Sequence, residues 1–163
     1  MGIARSNRRH SAQPKPSRRG ESPAQHLNNS NSLNFTIDSD FEQGRKVQTQ
    51  IIELIERSGF NEGGVFAIKL ALEEAMINAI KHGNRLAPGK KVHVQAKVDA
   101  ERAEIIIEDQ GPGFDRSSVP DPTSEENICK CSGRGILLME AYMSSVKWTN
   151  KGRRVTMVKE NEK

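Results

Sequence analysis

Leu33, Phe35 and Ile37 alternate with polar residues, the period-two pattern of a strand with one buried face. Asp38-Ser39-Asp40 then offers a helix N-cap, and Val47, Ile51, Leu54 and Ile55 recur at helical spacing until Gly59 stops the run. A helix over about residues 40–58 is predicted. From Gly64 to His82 apolar residues (Val65, Phe66, Ile68, Leu70, Leu72, Ala75, Met76, Ile77, Ala79, Ile80) cover more than one face, and Gly83 closes the run. That is the pattern of a buried helix. Val92, Val94, Ala96 and Val98 alternate with Lys91, His93, Gln95 and Lys97, and Ala103–Glu108 follow after a turn near residues 99–102, which predicts an antiparallel hairpin. Residues 110–132 carry no periodicity, and structureless loops longer than roughly 15 residues are usually functional lids or disordered. Gly135–Met143 reads as a short helix, and Ser145–Thr149 with Arg154–Lys159 as a closing hairpin around Asn150-Lys151-Gly152. The order β-α-α-β-β-loop-α-β-β predicts an α/β (α+β) two-layer sandwich, a mainly antiparallel mixed sheet with helices on one face and water on the other.

At 163 residues the chain has the size of one domain. Hydrophobic residues make up 34% and charged residues 28%, with a mean hydropathy of −0.68, so part of the chain is expected not to pack. Residues 1–32 carry six Lys/Arg against Glu21 alone, a net of +5, which leaves −1 for residues 33–163 out of the total of +4. The pI of 9.2 therefore reflects residues 1–32, a Ser/Asn/Gln/Pro-rich stretch read as a disordered basic arm. It lacks aromatic residues for base stacking, and its Met1-Gly2 opening fits only a short, loose myristoylation pattern. Residues 33–163 then form the folded domain. With no apolar run approaching roughly 18 residues and no apolar leader, the expectation is a cytoplasmic protein without membrane or direct nucleic-acid contact. Cys129 and Cys131 have no second Cys or His pair nearby to complete a zinc site and read as reduced thiols.

Three segments carry candidate chemistry. At 100° per residue Glu74, Asn78 and Lys81 lie within about 60° of one another on the second helix. One face thus offers an acid, a neutral oxygen ligand for a hard cation, and a positive charge. Asp109 ends the Ile105-Ile106-Ile107 strand, where a carboxylate can accept a hydrogen bond from an exocyclic amine, with Gly111 and Gly113 allowing close approach of a flat ring. Gly133-Arg134-Gly135 opens a helix, whose bare N–H groups and dipole attract phosphate. Taken alone each glycine pair is a common turn, and neither a dinucleotide fingerprint nor a P-loop is present.

Glu-x-x-x-Asn on a helix, Asp-x-Gly-x-Gly after a strand, a long loop and Gly-x-Gly at a helix start, in that order, resemble the nucleotide-binding boxes of the Bergerat-fold ATPases, the superfamily of gyrase, MutL and the histidine kinases. Within it, Glu74-Ala75, Asn78-Ala79 and His82-Gly83 in a stand-alone domain most resemble the anti-sigma-factor serine/threonine kinases. The resemblance spans residues 33–160. It implies ATP and Mg²⁺, with Glu74 as general base toward a protein serine, Asn78 as Mg²⁺ ligand and Asp109 as adenine contact. Gly111, Gly113, Gly133 and Gly135 would shape the pocket, and Lys81, Lys130 and Arg134 would offer charge to the phosphates. Some relatives carry an arginine near the end of the lid, where this chain has Lys130-Cys131-Ser132. The partners implied are a sigma factor and an anti-anti-sigma antagonist, with homodimerisation suggested by the family. The competing expectation is an ATP-ordered scaffold that sequesters a partner without catalysis.

Overall fold

The computed structural model describes residues 31–115, 117 and 134–162. The basic arm up to Ser30, and Cys129, Lys130, Cys131 and Gly133, lie outside the described residues. Five strands form one sheet in the order β1-β2-β3-β5-β4: β1 Ser32–Asp38, β2 Lys91–Val98, β3 Arg102–Glu108, β4 Ser145–Thr149 and β5 Arg154–Glu160. All four pairings are antiparallel, so the sheet contains no parallel pair among the described residues. Ser32, assigned to the arm by composition, opens β1 opposite Lys97.

Register explains which face is dry. Phe35 pairs with Val94, Val94 with Ile107, Ile107 with Val155, and Val155 with Trp148. Because side chains alternate with a period of two, this row and its neighbours, Ile37, Val92, Ala96, Ile105 and Met157, share one face, which the helices cover. Thr36, Gln95, Lys97 and Arg154 lie on the opposite, solvated face. There Arg154 bonds Glu108 at 2.6 Å across β3–β5 and holds that carboxyl below its ordinary range.

The first helix, α1 (Phe41–Arg57), begins where Asp40 accepts the Gln43 N–H at 2.9 Å, while the Gln43 side chain accepts the Asp38 N–H at 3.1 Å. This reciprocal cap fixes the chain's exit from β1. Val47, Ile51, Leu54 and Ile55 form its buried stripe. The second helix, α2 (Glu62–Ile77), starts at Asn61, whose side chain accepts from the Gly64 N–H at 2.7 Å. Ile68, Leu72, Met76 and Ile80 recur every four residues and are fully buried. The third, α3 (Arg134–Tyr142), packs along α2.

One expectation is corrected. The helix predicted over residues 64–82 does not remain α-helical: α2 passes at Asn78 into a π-helical turn, Asn78–Gly83. The Asn84 N–H reaches back to the Ala79 carbonyl at 2.8 Å, a five-residue span. The wider turn delivers Gly83 and Asn84 inward, against the end of β3, and π-turns of this kind recur at functional sites.

If α2 is buried as described, Ile68→Ala should lower stability by about 2–5 kcal/mol in urea denaturation. Phe66, two residues earlier but 58% exposed, should cost about 1 kcal/mol or less when replaced by Ala. Equal losses would contradict the orientation of the helix.

Candidate active site

Glu74 and Asn78 lie one helical turn apart at the end of α2. The carboxylate of Glu74 rests directly on the backbone of Gly135, in the first turn of α3: a β-carbon there would fall 3.1 Å from the carboxyl carbon and closer still to Oε2. Gly135 therefore leaves the acid its place, and a larger residue there would displace the Glu74 carboxylate. A negative charge at the first turn of a helix is favourable with respect to the dipole. The Asn78 Nδ2 is buried and has no hydrogen-bond partner among the described residues. Buried amides are almost always satisfied, so this one leaves a polar group open to a water, an ion or a ligand. Its oxygen and nitrogen interchange by rotation, and an Asn oxygen suits Mg²⁺, which keeps most of its waters and needs few protein ligands. The residues present therefore fit the ion. Lys81 departs from the ideal helical stripe, since it lies within the π-helical turn and is exposed.

The second half of the site forms where the π-turn meets the end of β3. Asp109 is only 9% exposed. Its Oδ1 accepts the Gly111 N–H at 2.7 Å, and its own N–H donates to the Arg153 carbonyl at 3.0 Å. A β-carbon on Gly83 would overlap the Asp109 carboxylate, and one on Gly111 would overlap the Gly83 carbonyl. The two glycines thus let the π-helical turn close on residues 109–111 and their acid. Burial pushes the Asp109 carboxyl above its ordinary range, and the Gly111 N–H and the charges of Arg153 and Lys90 offset this only in part.

Gly113 serves a different contact from the one expected of it. Its φ is +81°, and a β-carbon would strike the Lys151 carbonyl, which accepts the Phe114 N–H at 3.0 Å. It seats the β4–β5 turn. Beside it a hollow of about 550 Å³ is walled by Phe114, Trp148 and the turn at Lys151–Gly152, and Glu74, Asn78, Asp109 and Gly135 do not line it. Arg134 is exposed at the start of α3. Lys130 and Gly133 lie outside the described residues, so the lid contributes nothing to the geometry above.

Sequence reasoning missed Asn84. Fully buried, it donates from Nδ2 to Ser39 Oγ at 2.6 Å and to the Lys91 carbonyl at 2.9 Å, and its Oδ1 accepts the Gln110 N–H at 2.8 Å. Gln110 in turn accepts the Lys91 N–H at 2.8 Å. One amide joins the β1–α1 turn, the start of β2 and the segment after β3. The only local signal is an Asn directly after a helix-ending Gly, which reads equally well as a helix stop.

The arrangement offers two separated chemistries: a buried acceptor able to read an exocyclic amine, and an acid beside an unsatisfied amide and a helix start, able to handle phosphate and a hydroxyl proton. Comparison with known proteins bears on the family. Residues 37–159 match the model of the family described as histidine kinase-like ATPase domain. The chain is 30% identical over 120 residues to serine-protein kinase RsbW of Bacillus velezensis, covering 69% of this chain and 75% of the relative. It is 34% identical over 98 residues to the anti-sigma F factor of Clostridium perfringens, 56% of this chain and 69% of that one. Among solved structures, that of the RsbU and RsbW domains of a Mycobacterium tuberculosis protein superposes with a TM-score of 0.51 at 17% identity, over 80% of this chain and 31% of that one. This last likeness concerns the fold alone.

Two outcomes follow from the geometry. Asp109→Asn should weaken ATP binding at least about tenfold, the worth of a charge-assisted hydrogen bond, in calorimetric titration. The same variant should melt no lower than the wild type at pH 7. A carboxyl whose folded-state pKa is raised favours the fold below the unfolded value near ~4 and loses that contribution as pH rises through the folded value. The variant's advantage should therefore shrink on acidification. Gly135→Ala should keep or slightly raise the melting temperature, since Ala is the better helix former, while displacing Glu74 and slowing turnover. A variant with unchanged turnover would show that the contact does not matter.

Proposed function

The chain belongs to the histidine kinase-like ATPase domain family, and on that premise we propose that it is an ATP-dependent serine/threonine protein kinase that acts as an anti-sigma factor, binding a sigma factor and phosphorylating a small anti-anti-sigma antagonist. The observation that carries the reading is the Glu74 carboxylate on the first turn of α3, one helical turn from the unsatisfied amide of Asn78. The printed names of the relatives, a serine-protein kinase and an anti-sigma F factor, support it.

In this reading Asp109 accepts a hydrogen bond from the exocyclic amine of adenine, and the close approach of Gly83 and Gly111 keeps the acceptor fixed. Glu74 takes the proton from the antagonist's serine hydroxyl as that oxygen bonds to the terminal phosphorus of ATP. The bond from that phosphorus to the bridging oxygen breaks, and ADP leaves with the electron pair. Asn78 Oδ1 would hold Mg²⁺, which when bound offsets phosphate charge. Arg134, with Lys81, is assigned positive charge toward the phosphates, and Lys130, outside the described residues, is proposed for the same task from the sequence alone. Phosphoryl transfer depends chiefly on positioning and charge stabilisation, and α2 and α3, packed side by side, hold both.

Single-turnover assays with the cognate antagonist test the assignment. Glu74→Gln keeps size and hydrogen bonding but loses the base, so ATP and sigma-factor binding should persist while transfer falls about 10²- to 10⁴-fold. Asn78→Ala should lose Mg²⁺-dependent ATP binding as well as turnover. Wild-type protein that binds ATP yet phosphorylates no antagonist, with Glu74→Gln indistinguishable from it in sigma-factor capture, would leave a nucleotide-ordered scaffold instead.

A further inference from the structure

We propose that Asn84 is the positioning residue that gives the nucleotide site its base selectivity. The inference rests on the reading of Asp109 as the base contact and goes beyond it by asking what holds that acid in register. Asp109 does not hold itself: among the described residues its carboxylate bonds the neighbouring Gly111 N–H, two residues along the same segment. From outside, the segment is held on the sheet side by the Asp109 N–H on the Arg153 carbonyl at 3.0 Å, and on the side of the π-helical turn by the Gln110 N–H, which donates to Asn84 Oδ1 at 2.8 Å. Asn84 is itself immobilised, since its Nδ2 is spent on Ser39 Oγ and the Lys91 carbonyl and its side chain is completely buried. A buried amide with all these groups satisfied has one orientation, because a flip would set its NH₂ against the Gln110 N–H and its oxygen against the Lys91 carbonyl. The Gln110 side chain returns to β2 by accepting the Lys91 N–H, closing a ring of bonds around the end of β3.

The consequence concerns selectivity more than affinity. Phosphate and metal contacts are assigned to α2 and α3, whereas Asn84 acts only on the loop that carries Asp109. Loosening that loop removes the directional reading of the exocyclic amine and leaves phosphate binding in place. ATP and ITP report this difference, because they differ at the purine position where ATP carries the amine and ITP a carbonyl.

Titration with both nucleotides tests the proposal. The wild type should prefer ATP at least about tenfold, and Asp109→Asn should lose that preference. Asn84→Ala should bring the two affinities to within about threefold of one another, mainly by weakening ATP. Ser39→Ala cuts the tie on the far side of Asn84 and should lower the melting temperature while keeping the preference for ATP. Full discrimination in Asn84→Ala, or its loss in Ser39→Ala to the same degree, overturns the proposal. A wild type without preference, or an Asp109→Asn variant that keeps it, overturns the Asp109 reading instead. Should Asn84→Ala fail to fold, hydrogen exchange on the wild type decides: a Gln110 amide protected in the absence of nucleotide supports the tie, and one that exchanges at the unprotected rate refutes it.

Discussion

The contact between the last turn of α2's run and the end of β3 is the constraint on which the functional end of this molecule depends. There Gly83 lies against the Asp109 carboxylate and Gly111 against the Gly83 carbonyl, at distances no β-carbon tolerates. An acid brought out of water at this point destabilises the fold in its charged form, and its elevated pKa is the sign of that cost. The chain accepts the cost because the same burial leaves one acceptor fixed, dry and directional. The π-helical turn is part of this arrangement: a regular α-helix continued from Ile77 would present residues 83 and 84 at a different angle, and the buried Asn84 network would not close.

The other half of the site depends on the pairing of α2 with α3. The two helices meet at Glu74–Gly135 near one end and at Phe66–Tyr142 near the other, where the rings meet edge to face with centroids 6.0 Å apart. Chain direction therefore reverses between them, and the start of α3 is carried to the acid. In the proposed reading phosphate chemistry falls to this helix pair and base recognition to the end of β3, so substitutions on one side are expected to leave the other largely intact.

Much of this was legible in the sequence, for identifiable reasons. Alternation at Leu33–Ile37 and Lys91–Val98 and the helical spacing of Val47, Ile51, Leu54 and Ile55 are local signals, and the strands and α1 match them closely. Glu74, Asn78, Asp109 and Gly135 could be singled out as candidates from residue type and spacing, while the roles proposed for them come from the family resemblance. What the sequence did not reveal depends on contacts between distant segments. The π-turn arises from the meeting of residues 83–84 with residues 109–111, and an α-helical periodicity argument cannot see it. Asn84 bonds residues 45, 7 and 26 positions away, so its role exists only in the assembled fold. Gly113 was assigned to the ligand, yet its missing side chain is explained by the Lys151 carbonyl, another non-local contact.

If the proposed function holds, one nucleotide spans from the end of β3, beside the π-turn, to the start of α3. A crystal structure with ADP and Mg²⁺ tests it most directly. The exocyclic amine of adenine should lie within hydrogen-bond distance of an Asp109 carboxylate oxygen, with the phosphates between Asn78 and Gly135. Adenine stacked instead in the hollow between Phe114 and Trp148, with Asp109 uncontacted, would contradict it.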